Sequence, residues 1–129
     1  MLNSNLDIYK KIEIFVETYI DLLKKNPYIP GFVINEINRN PDRLLNLINL
    51  QGIDFALLGM QIAQETKRKK IKPIDIRHIM VNIIGMCIFP FIGRPILQNF
   101  LFQNNQEEYD KFIEERKKII PQFVINSLK

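Results

Sequence analysis

The chain has 129 residues, a formal charge of +4 and a hydrophobic fraction of 47% against 25% charged. That length suits one domain, residues 1–129, with a core of its own, and the composition excludes a disordered or fibrous chain. A single cysteine, Cys87, excludes an intrachain disulfide, and no signal-like start precedes the first apolar run, so a reducing, cytoplasmic setting is expected.

Five glycines, little Val or Thr and long stretches at helical period argue against sheet. After a ragged start at residues 1–5, residues 6–25 predict a helix. Ile8, Ile12, Phe15, Tyr19 and Leu22 form its stripe, with Lys10, Glu13, Glu17, Asp21 and Lys24 opposite. Asn26 and Pro27 stop it. Pro30 and Gly31 precede a short helix over 32–38, and another is expected over 42–50 after Asn40 and Pro41. Gln51 and Gly52 break the chain before a longer helix over 53–70.

The next stretch, IDIRHIMVNIIGMCIFPFIGRPILQNFLF at residues 74–102, is the one the chain is organised around. Residues 79–93 are apolar except for Asn82. A membrane span needs roughly 20 such residues, so the run reads as a central helix covered by other helices or by a second subunit. Pro90 should end or kink it at Phe89, and Pro95 suits the first turn of a continuation. Asn104 and Asn105 mark a turn. A last helix starts near Gln106, with Tyr109, Phe112, Ile113, Ile119 and Ile120 on one side, and Pro121 either kinks it or starts a new turn ending near Leu128. Five to seven helices in an all-α antiparallel bundle is the fold expected.

The charge is uneven. Residues 1–66 carry 6 basic and 8 acidic side chains, and residues 67–129 carry 12 and 6. Lys67, Arg68, Lys69, Lys70 and Lys72 make most of that excess, and they read as the solvated, dipole-compensating end of a helix more than as a phosphate-binding patch. His78 and Cys87 lie nine residues apart on one helix, on opposite sides, so no metal site or nucleophile is expected from them. Asp75, His78, Asn82, Met86 and Phe89 share a stripe. Asn82 should therefore have a partner, either on a neighbouring helix or subunit or as a polar anchor in a ligand cavity.

Two stretches carry a family resemblance. LDIYKKIEIFVETYIDLLKKNPYIPGFVINEINRNPDRL, residues 6–44, and PIDIRHIMVNIIGMCIFPFIGRPIL, residues 73–97, resemble the C-terminal regulatory domain of TetR-type bacterial transcription repressors. The family's N-terminal helix-turn-helix domain has no counterpart among these elements. The resemblance implies a domain that senses a small apolar or aromatic effector, dimerises, and reaches DNA only through the missing helix-turn-helix. It implies no enzyme activity, no cofactor and no membrane. Helices that surround the effector in that family place Phe15, Tyr19, Phe55, Leu58, His78, Asn82, Met86 and Phe89 as candidate ligand contacts. A two-fold four-helix bundle built from residues 76–102 and 106–128 implies Ile84, Gly85, Ile88, Phe112, Ile113, Ile120 and Phe123 at the dimer interface. The competing reading is a stand-alone helical interaction module without a ligand.

Overall fold

Apolar residues recurring every three or four positions give the first helix one buried face. The computed structural model describes residues 8–43, 46, 55–68 and 75–129, and in it helix α1 spans Ile8–Lys25. Its inward face buries Ile12, Phe15, Val16, Ile20 and Leu23, each side chain stabilising the fold by roughly 1.5–3 kcal/mol. Asn26 closes the helix by donating from Nδ2 to the Leu22 carbonyl at 2.9 Å.

Helix α2, Ile29–Arg39, starts earlier than the sequence predicts. Pro30 and Gly31 lie in its first turn, where a proline lacks only a bond that the helix start does not make. Residues 41–43 are helical too, and Asn40 Oδ1 accepts from the Arg43 N–H at 3.2 Å. Most of the helix expected over 42–50, the start at residue 53 and Lys69, Lys70 and Lys72 lie outside the described residues. Helix α3 runs Phe55–Lys67 and buries Ile62.

Helix α4, Ile76–Ile92, is capped by Asp75, whose carboxylate accepts from the Arg77 N–H at 2.9 Å. It packs against each of the other described helices and supplies Ile79, Ile83, Cys87 and Ile88 to the core. Pro90 does not end it at Phe89. The helix continues through Pro90, and a bend of 76° separates it from helix α5, Arg94–Phe102, with Gly93 between them. A Cβ on Gly93 would stand 3.3 Å from both the ring and the carbonyl oxygen of Phe89, so the bend brings that ring close over the backbone. Pro95 occupies the first turn of α5.

Gln103 and Asn104 adopt left-handed backbone at φ 51° and 63°, and Asn105 then caps helix α6, Gln106–Leu128, accepting from the Glu108 N–H at 3.1 Å. Pro121 lies inside α6 without starting a new one. The helices are antiparallel where α6 meets α1: Lys117 pairs with Asp21 and Lys24 with Glu114, both at 2.6 Å. The chain is thus an all-α helical bundle, with no strand among the described residues. No single described helix is long and apolar enough to cross a membrane; α4 from Arg77 onward passes that test only together with α5, across the bend.

Candidate functional site

Two donors on α6 explain how α4 tolerates Pro90. Lacking an N–H, Pro90 leaves the Met86 carbonyl without its helical partner. Arg116 Nη2 donates to that carbonyl at 3.4 Å, and the Tyr109 hydroxyl donates to the carbonyl of Pro90 itself at 2.9 Å. Burial pushes the Tyr109 phenol up, against the pull of Arg94, whose guanidinium stacks 4.5 Å from the ring centroid. Arg116 lies 5.7 Å over the Phe112 ring, and its Nε is buried with no partner among the described residues. Burial lowers its pKa from the usual value.

Among the described residues the expected ligand contacts do not come together. Phe15 and Tyr19 are sealed in the core, their rings edge to face at 6.1 Å, and burial pushes the Tyr19 phenol far above its ordinary range. His78, Asn82 and Phe89 lie on the outer side of α4, while Met86 is half-buried. The side chains of Phe55 and Leu58 lie outside the described residues. Asn82 therefore needs no buried partner within the chain, because water reaches it. Of that stripe, α4 turns His78, Asn82 and Phe89 outward and leaves Met86 half-buried.

The expected interface divides in the same way. Ile113 and Ile120 are corrected to core positions, with Ile120 0% exposed, because α6 turns them in among the other buried apolar side chains; Ile88 is buried as well. Gly85 and Phe123 are exposed, and Ile84 and Phe112 are half-buried. The bonds from Tyr109 to Pro90 and from Arg116 to Met86 make α4 and α6 antiparallel, which sets Val81 level with Ile119. Val81 at 69% exposed, Phe89, Ile119 and Phe123 at 63% are exposed apolar side chains on these two helices, with Gly85 between Val81 and Phe89. A Cβ on Gly85 would meet nothing within 4 Å. After the bend, Ile96, Leu101 and Phe100, 84% exposed, continue the apolar exposure onto α5.

A pocket of about 280 Å³ lies where the end of α1, the start of α2, the α4–α5 bend and the first turns of α6 converge. Leu23, Phe91 and Ile113 supply its apolar surface, and Pro27 and Pro30 a rigid wall. Lys24, Arg94, Tyr109 and Asp110 bring polar groups to it. Periodicity gave no hint of Arg94 or Tyr109 as site residues. The legible signal was Pro90, whose missing N–H and following bend require donors from elsewhere.

Cys87 is buried and its thiol is pushed up to about 12 by that burial, which keeps it protonated and unreactive. Among the described residues no group of three His, Cys, Asp or Glu side chains could hold a metal ion. Compared with known protein families, with curated proteins and with solved structures, the chain matches none.

Proposed function

We propose that this chain is the effector-sensing and dimerisation domain of a TetR-type transcriptional regulator, and that it dimerises through the outer face of α4 and α6. The observation that supports this reading is the apolar surface of Val81, Phe89, Ile119 and Phe123 on two adjacent antiparallel helices. Exposed large apolar side chains gathered on two adjacent helices of a small domain point to an interaction site. A two-fold axis lets such a face meet its own copy, and Gly85 allows the helices to approach closely there. The resemblance supplies the rest of the reading: an effector shifts the balance between two packings of the bundle and so changes the spacing of two helix-turn-helix heads on DNA. Light scattering at tens of micromolar tests it. The expected mass is twice the chain's 15.3 kDa. A monomer at that concentration removes the dimer and the regulatory reading with it.

A further inference from the structure

The guanidinium of Arg94 is held by neutral partners. It stacks on the Tyr109 ring at 4.5 Å, and its Nε donates to Gln98 Oε1 at 2.9 Å. Tyr109 is itself fixed by its bond to the Pro90 carbonyl and by the edge of Phe102 at 6.2 Å. Among the described residues no carboxylate lies within ion-pair distance of Arg94, although the residue is half-buried. A half-buried guanidinium that makes no ion pair is a point at which an anion can be held. Neither terminal nitrogen of the guanidinium donates to a described residue, and that planar pair matches the two oxygens of a carboxylate.

We propose that the pocket at the α4–α5 bend binds a small monocarboxylate, with Arg94 as its anchor and Leu23, Phe91, Pro27 and Pro30 around its hydrocarbon body. The volume of about 280 Å³ sits at the small end of ligand pockets, which fits a compact aromatic or short aliphatic acid. Inorganic phosphate is disfavoured on two counts. Its extra charge meets Asp110 at the pocket, and it leaves the apolar wall unused. Each protomer carries the whole pocket, so binding does not depend on dimerisation. A bound acid bridges α1, α2 and α5 across the bend and ties the corner down.

Sodium benzoate and sodium hexanoate are the probes, titrated into the isotope-labelled full chain at constant ionic strength and followed by amide chemical shifts. Saturating shifts concentrated in residues 24–30, 91–98 and 106–113 are expected, with none from benzyl alcohol or inorganic phosphate. Arg94→Gln should weaken both acids about tenfold or more, and Arg94→Lys, which keeps the charge but loses the paired donors, should fall between. Absence of saturating shifts in the wild-type chain at millimolar acid overturns the proposal. So do shifts centred elsewhere, equal binding of phosphate, or unchanged affinity in a folded Arg94→Gln. If that variant does not fold, the wild-type shift map and Arg94→Lys still decide.

Discussion

The Tyr109 hydroxyl and the Pro90 carbonyl, 19 residues apart in sequence, form a 2.9 Å hydrogen bond in the interior of the bundle. It satisfies an acceptor at the place where α4 gives way to the bend. Tyr109→Phe keeps the ring, and hence the stacking on Arg94, but removes the donor. A buried carbonyl without a partner costs about 1–3 kcal/mol, and the variant should lose stability in that range. Urea unfolding with an unchanged slope checks it, and an unaltered midpoint would show that water replaces the phenol.

Much of the fold is legible because helical period and breaking residues suffice to place α1, α5 and α6. The misreadings share one cause. The sequence places Pro30 ahead of its helix and a break or kink at Pro90, yet Pro30 fits a first turn and Pro90 is accommodated by Arg116 and Tyr109 from a distant helix. Such complementation is long-range and leaves no periodic trace. The candidate sites were less legible still. Phe112 and Ile113 are neighbours in sequence and equally apolar, and only the positions of α1 and α4 around α6 decide that Ile113 is sealed while Phe112 stays half-buried. Arg94 gives no periodic signal because its partner is a ring and its pocket is assembled from five helices.

Between α1 and α6 lies a network of four charges. Glu114 accepts from Lys24 at 2.6 Å and from Lys117 at 2.8 Å, while Lys117 also pairs with Asp21 at 2.6 Å. Hydrogen bonds from Lys117 and then Lys24 hold the Glu114 carboxyl at about 2, below its ordinary 4.5. The folded value is the lower one, so the contribution is complete above about 4.5 and is lost as pH falls towards 2. The Glu114 side chain is 54% exposed, so solvent screening limits the effect to about 1 kcal/mol or less. Glu114→Gln should flatten the acid limb of the stability–pH profile in that window while costing little in high salt. An acid limb identical to wild type would show that the network contributes nothing to folding.

Ile120 and Phe123 are three residues apart on α6 and separate folding from assembly. Ile120 is fully buried within the chain, whereas Phe123 projects from it. Ile120→Ala leaves a cavity in the core and should cost about 2–5 kcal/mol, whatever the oligomeric state. Phe123→Glu removes no intramolecular core contact and should leave the helical content of the isolated chain unchanged. At an interface around Phe89 and Ile119, however, it buries an unpaired carboxylate, at a cost of several kcal/mol, enough to dissociate a dimer. The two variants are compared by circular dichroism melts and by light scattering over a concentration series. The expected pattern is a destabilised dimer for Ile120→Ala and a folded monomer for Phe123→Glu. A Phe123→Glu chain that keeps the dimer mass would move the interface away from Phe123 and so overturn its assignment to this face.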